Sequence, residues 1–153
     1  MAGPAAYDPL MTTTPDAAAR LEMANAMGRG TLIERMGIEF TEVDTGRVTA
    51  TMPVSGNTQP YGLLHGGASV VLAETLGSFG SAMHAGPDRV AVGIEINATH
   101  HRAARSGVVT GTATALHLGS TMASWQVEVR DEQGRPVCTS RITCLLRDAA
   151  PGA

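Results

Sequence analysis

Aromatic side chains make up only 3% of the 153 residues, so the core cannot rest on packed rings and falls to Val, Ile, Leu, Met and Ala. Cysteine is nearly absent. Cys138 and Cys144 stand 144 − 138 = 6 residues apart in what reads as one strand, roughly 20 Å at ~3.3 Å per residue. That exceeds the Cα separation a disulfide spans. No Cys-x-x-Cys or His-x-x-x-His pair supplies a metal signature. Basic residues are few and scattered, and the formal net charge is −3, which removes the electrostatic footprint of a nucleic-acid partner. No basic segment leads into a continuous apolar core at the N-terminus, and no uninterrupted apolar run reaches the length of a membrane span. The expectation is a cytoplasmic protein without a membrane role.

What is present is globular. Hydrophobic residues at 43% and charged residues at 16% fit one domain, long enough to bury ~68–70% of its unfolded surface. One stretch dominates, Gln59 to His84, reading QPYGLLHGGASVVLAETLGSFGSAMH. After the turn-like Pro60-Tyr61-Gly62, the run from Ala68 to Met83 carries Glu74 as its only charge. Such a run predicts a central helix, apolar on nearly every side, that other elements must cover completely.

The remainder is arranged around it. Residues 1–36 read as a tail with short helices: Met1 to Pro15 is loose, Asp16 can cap a helix through Ala17 to Met23, and Gly28 and Gly30 interrupt it. Thr31 to Met36 forms a second helical turn. From Gly37, Ile38 and Phe40 alternate with polar neighbours, Asp44-Thr45-Gly46 is a hairpin turn, and Val48, Ala50 and Met52 alternate again. After Gly86-Pro87-Asp88 the period is two throughout. Val90, Val92, Ile94 and Ile96 are expected on a buried face, with Glu95 and Asn97 opposite. Gly107 to Leu118, then Ser124 to Arg130 with Trp125, Val127 and Val129 on one face, then Val137 to Leu146 complete four strands. Residues 37–147 thus form the domain, and 148–153 a tail. Two strands, a long helix and four strands without βαβ repeats give an α+β fold, an antiparallel sheet curled around one helix.

The helix start suggests chemistry. Paired glycines let backbone N–H groups approach a ligand, and the first N–H groups of a helix lack intrahelical partners. Backed by the helix dipole, they suit a carbonyl oxygen that gains negative charge. Glu74 is a carboxylate on an otherwise apolar helix, which must be paired, hydrogen-bonded or used. Ser78, at i+4, shares its face. Gly66 and Glu74 are 74 − 66 = 8 residues apart, roughly 12 Å along one helix. Groups acting on one carbonyl must each lie within ~3 Å of it. If they cooperate, Gly66 of one chain faces Glu74 of another, and the protein is a symmetric dimer with two sites.

These residues, Gln59, then His65-Gly66-Gly67, then Glu74 and Ser78, resemble in order and spacing the hotdog-fold acyl-CoA thioesterases. The similar branch contains the 4-hydroxybenzoyl-CoA thioesterases and phenylacetate-pathway-like enzymes. The resemblance runs from about Gly37 to Arg147, including Asn97-Ala98-Thr99 before Arg102 and the corner His117-Leu118-Gly119-Ser120-Thr121. It implies hydrolysis of an aryl-CoA of the hydroxybenzoyl or phenylacetyl type, or a related acyl-CoA. The Gly66 amide would polarise the carbonyl, and Glu74 from the opposing subunit would act as nucleophile or general base. Ser78 would hold the carboxylate, Gln59 would orient carbonyl or water, and His65 would brace the turn. Gly67, Arg102, Ser120 and Thr121 would meet the CoA, the arginine taking phosphate. No cofactor is implied, CoA being part of the substrate, and the assembly implied is a dimer or a tetramer built as a dimer of dimers.

Bland readings stand beside these: a satisfied core histidine at 65, a loop hydrogen-bonder at Gln59, a plain contact at Ser78, a solvated Arg102. His100 and His101 read as sheet-surface residues. An acyl pocket lined by Leu76, Met83 and Val or Ala positions would take an aryl or medium aliphatic group. A broad proofreading thioesterase and a non-enzymatic acyl-CoA-binding protein are the alternatives. A hydratase lacks its carboxylate near the helix start, since none lies between Asp44 and Glu74.

Overall fold

The structure, a computed structural model, describes residues 16–149; the expectations for the tails at 1–15 and 150–153 lie outside them. Asp16 caps α1 (Ala17–Met27), its carboxylate accepting from the Ala19 N–H at 2.8 Å. Thr31 does the same for the single turn α2 (Leu32–Arg35). The strands are β1 (Glu39–Asp44) and β2 (Arg47–Pro53), joined across Thr45-Gly46. After α3 (Gly66–Ala85) come β3 (Arg89–His100), β4 (Val108–Leu118), β5 (Met122–Arg130) and β6 (Pro136–Asp148). The last strand outruns its expected end: Asp148 pairs with Arg89 instead of opening a tail.

All pairings are antiparallel, and the six strands lie in the order β1-β2-β4-β5-β6-β3. The sheet wraps α3, which inserts Leu72 and Leu76 into it, both fully buried. Close approach depends on small residues on the helix. A side chain at Gly77 would collide with Ile142, and a Cβ at Gly80 would stand 2.6 Å from the Trp125 ring. Trp125 in turn donates its indole N–H to the Ser81 hydroxyl at 2.8 Å, satisfying both buried polar groups.

The helix is not covered all round. Its sheet-facing stripe is buried, while Val70, Val71, Glu74, Thr75, Ser78 and Phe79 are only half-buried, because the strands of one chain close over one side.

The sheet's two edges also differ. Beside β1, Asn25 of α1 imitates a neighbouring strand: its amide accepts from the Phe40 N–H at 2.9 Å and donates to the Phe40 carbonyl at 3.1 Å. Arg20 donates to the Val43 carbonyl at 3.1 Å. At the other edge, β3 is paired with β6 on one side only among the described residues. Val90, Val92 and Ile94, expected in the core, are 41%, 45% and 56% exposed. Alternation was right as far as Gly93, but its apolar set takes the outer face; a bulge between Gly93 and Glu95 then changes phase, returning Ile96 and Ala98 to the core side. Val92 stands opposite Leu145, and Leu145 opposite Met122, so an exposed apolar row crosses three strands. Among the described residues no helix is long and apolar enough to cross a membrane.

Candidate active site

The loop into α3 is tied down by its own backbone. Gln59 N–H donates to the Leu63 carbonyl at 2.8 Å, Leu64 N–H to Ala104 at 2.8 Å, and His65 N–H to Asn57 at 2.9 Å. The Asn57 side chain donates to the Met36 and Pro53 carbonyls. The loop turns at Gly62, whose φ of +72° a side chain would strain.

His65 is thereby delivered to the N-cap of α3 with φ −65° and ψ 130°, and its Nδ1 accepts the Gly67 N–H at 2.8 Å. His65 thus serves as the N-cap of α3. The amide of Gly67 is spent on that cap and is not free for CoA. The Gly66 N–H, by contrast, has no acceptor among the described residues. It opens on a cleft of about 360 Å³ that Gln59, Ser69, His100, His101 and Arg102 also line.

Glu74 and Ser78 form a second group. The Ser78 hydroxyl donates to Glu74 Oε1 at 3.1 Å, and the carboxylate lies against β3 at Gly93, whose missing side chain leaves the room. The cleft at Gly66 includes no carboxylate. One chain thus brings Gln59, His65 and Gly66 together, and Glu74 with Ser78, but not the two groups with each other.

The CoA residues are divided in the same way. Arg102 is exposed at the cleft beside the start of α3. Ser120 and Thr121 sit at the other end, where His84 Nε2 meets the Gly119 carbonyl at 2.9 Å. The 20 residues of α3 put about 30 Å between those ends. Arg89 donates to the Ser120 carbonyl at 2.6 Å, which places a guanidinium at that corner.

Three residues were missed from sequence. His100 packs on the helix start, where a Cβ at Gly66 would stand 2.9 Å from its Nε2; its parity with Ile96 and Ala98 places it on the inner face. Ser69 is buried one turn into α3, and Gly93 floors the Glu74 carboxylate. Leu76, expected to line the acyl pocket, is sealed against Gly111 instead. Met83 lines a separate cavity of about 250 Å³ with Gly80, Leu118 and Trp125. Cys138 and Cys144 are free and buried, and burial pushes the Cys138 thiol up from its ordinary range, against a backbone hydrogen bond at Thr99.

Comparison with known proteins gives a consistent picture. The family described as the thioesterase superfamily matches residues 61–138. A proofreading thioesterase, EntH, of Cronobacter turicensis is 49% identical over 127 residues, 82% of this chain and 93% of that protein. The 1,4-dihydroxy-2-naphthoyl-CoA hydrolase of Escherichia coli K12 is 49% identical over the same shares of the two chains. Among solved structures, a thioesterase from Haemophilus influenzae superposes with a TM-score of 0.81 at 39% identity, covering 84% of this chain and 90% of its own.

Proposed function

The chain belongs to the thioesterase superfamily and is a thioester hydrolase of the hotdog fold, and from that premise we propose that it cleaves acyl-CoA thioesters at centres which two copies build jointly. The observation that carries this reading is the separation of the two halves of the chemistry on one helix. Gly66 abuts His100 and Glu74 abuts Gly93, so α3 runs antiparallel to β3, and β3 is the open edge. Antiparallel pairing of β3 with its copy about a two-fold at Asn97, the bulge between Gly93 and Glu95 taking up one extra residue, would set Gly93 opposite the partner's His100. Glu74 would then face the partner's Gly66. The same pairing sets Arg102 opposite the partner's residue 91 (93 + 100 − 102 = 91), two positions from the arginine that holds the Ser120 corner. This gives the CoA phosphates residues from both chains.

In this arrangement the Gly66 N–H, backed by the dipole of α3, stabilises the oxyanion formed from the thioester carbonyl. Glu74 attacks the carbonyl carbon, expelling CoA thiolate and leaving an acyl-glutamyl anhydride that water hydrolyses, or it takes a proton from the water that attacks directly. Ser78 orients the carboxylate, and Gln59 and His100 flank the reacting group. A burst of free CoA stoichiometric with enzyme would mark the anhydride route; a linear onset would mark the base route. The exposed row Val92, Leu145 and Met122 supports a further association into a dimer of dimers.

For the acyl group we favour an aryl-CoA with tolerance for others. Two relatives at equal identity carry names for different duties, one proofreading and one hydrolysis of an aromatic naphthoyl-CoA. The broad proofreading reading rests on the same pair.

The test is complementation. Glu74→Gln removes the carboxylate. Gly66→Pro removes the amide at N1, where proline is tolerated and the preceding ψ of 130° suits it; Gly66→Ala, which keeps the amide, is its control. Each of the two disabling variants alone should lose about 10²–10⁴-fold in thiol release from a panel of acyl-CoAs. Denatured together and refolded, they should regain about a quarter of wild-type activity, since half the dimers are mixed and each has one intact centre. No recovery on mixing would overturn the shared centre. No thiol release by the wild type from any acyl-CoA would overturn the substrate class.

A further inference from the structure

We propose that Gly93, at the bulge of β3, is the positioning residue for the Glu74 carboxylate: its bare Cα is the floor on which the acid is seated. The proposal rests on the reading that Glu74 performs the chemistry.

A Cβ at Gly93 would overlap Glu74 Oε1 and stand 3.4 Å from the carboxyl carbon and 3.6 Å from Oε2. The carboxyl group therefore lies across the Gly93 backbone. Conformation does not explain the glycine, because Gly93 is not among the glycines with positive φ, and glycine weakens a strand interior. Space does explain it. Gly111, also in a strand facing α3, makes room for Leu72 and Leu76, which is packing; Gly93 makes room for a charged group.

The seat has two further walls. Ser78 holds Oε1 from the helix side at 3.1 Å, leaving Oε2 without a hydrogen-bond partner among the described residues. The bulge begins at this point, with Gly93 opposite Cys144 and Glu95 already opposite Thr143. Bulges re-aim a strand locally, and this one changes which face β3 turns to the helix just where the carboxylate lies. Gly93 and Ser78 together fix which oxygen is presented outward.

The test is Gly93→Ala, alone and in a Glu74→Asp background, with steady-state kinetics on the acyl-CoA that the wild type turns over best. Alone, Gly93→Ala should lower kcat by about 10–100-fold with KM within about two-fold, since a displacement near 1 Å costs that much in a positioned group. In the Glu74→Asp background the shorter acid leaves room for the methyl, and the same substitution should cost no more than about two-fold. Unchanged kcat in Gly93→Ala would overturn the proposal. So would an equal loss in both backgrounds, which would mean a general disturbance of β3. Should Gly93→Ala fail to fold, Gly93→Ala with Glu74→Ala decides: melting like Glu74→Ala alone supports the overlap, and unfolding again overturns it. Full activity in Glu74→Gln is a different failure, that of the underlying reading, and it takes this proposal with it.

Discussion

At the β1 edge of the sheet, α1 lies alongside and Asn25 takes both backbone groups of Phe40, so the strand ends its pairing on a side chain of its own molecule. At the β3 edge the strand is long, with 12 residues, carries Val90, Val92 and Ile94 in the open, and has only β6 beside it among the described residues. Exposed apolar edges are hazards that proteins blunt with charge, proline or a covering element. This chain blunts one and leaves the other. The β3 edge is also the strand that touches both halves of the proposed centre, through His100 and Gly93. Finishing is thus applied at one edge and withheld at the other, the edge through which the proposed shared centre would be completed.

The contrast can be broken most severely at the open edge. Val92→Lys with Ile94→Lys charges both the open edge and the outer-face row assigned to the association of dimers. Assembly should fall to a monomer by sedimentation velocity and thiol release by about 100-fold or more, because charged edges refuse pairing and each proposed centre then lacks half its groups. An active dimer would mean that only the outer face had been broken. An active monomer would mean that the open edge has no catalytic purpose. A smaller effect is expected at the finished edge. Asn25→Ala strips the partners from a half-buried N–H and carbonyl and should cost about 1–3 kcal/mol in urea denaturation, with activity per folded molecule unchanged. Loss of activity there would erase the distinction between the edges.

The smallest effect belongs to the β5–β6 turn, which serves neither edge. Burial raises the Asp131 carboxyl, but the Arg135 N–H, the Arg135 guanidinium and the Gln133 N–H outweigh it and hold it below its ordinary range. A carboxylate so depressed adds stability that is present above its unfolded value of about 3.9 and is lost as pH falls through the folded one. Asp131→Asn should therefore narrow the gap in melting temperature between neutral and acidic buffer, leaving assembly and kcat alone. A melting curve equally steep in pH would show that the turn contributes nothing.

Most of the architecture could be read from the residues, because its signals are local. Asp16 and Thr31 announced helix starts, Thr45-Gly46 a hairpin, and Trp125, Val127 and Val129 a buried face. The error on β3 has a physical cause. Alternation separates a strand's two faces but does not say which one meets the core, and an apolar face left open looks like a core face. The bulge then hid His100 by shifting its parity relative to Val92. Leu76 was misjudged for a related reason: on a helix this apolar, only the small residues Gly77 and Gly80 mark the side pressed to the sheet. Glu74, Ser78 and Gly66 stood out because each breaks the texture around it, whereas Gly93 is one of 18 glycines and becomes conspicuous only beside the acid it accommodates.

On β3, neighbouring positions look in opposite directions: Gly93 inward to an acid, Val92 and Ile94 outward to solvent. A mutation that slides this strand by one place would exchange those duties, sending a bulky side chain into the acid's seat and stripping the edge of its grease. On the proposed reading, companionship and turnover would therefore be inherited together, and drift in one could not be selected without answering for the other.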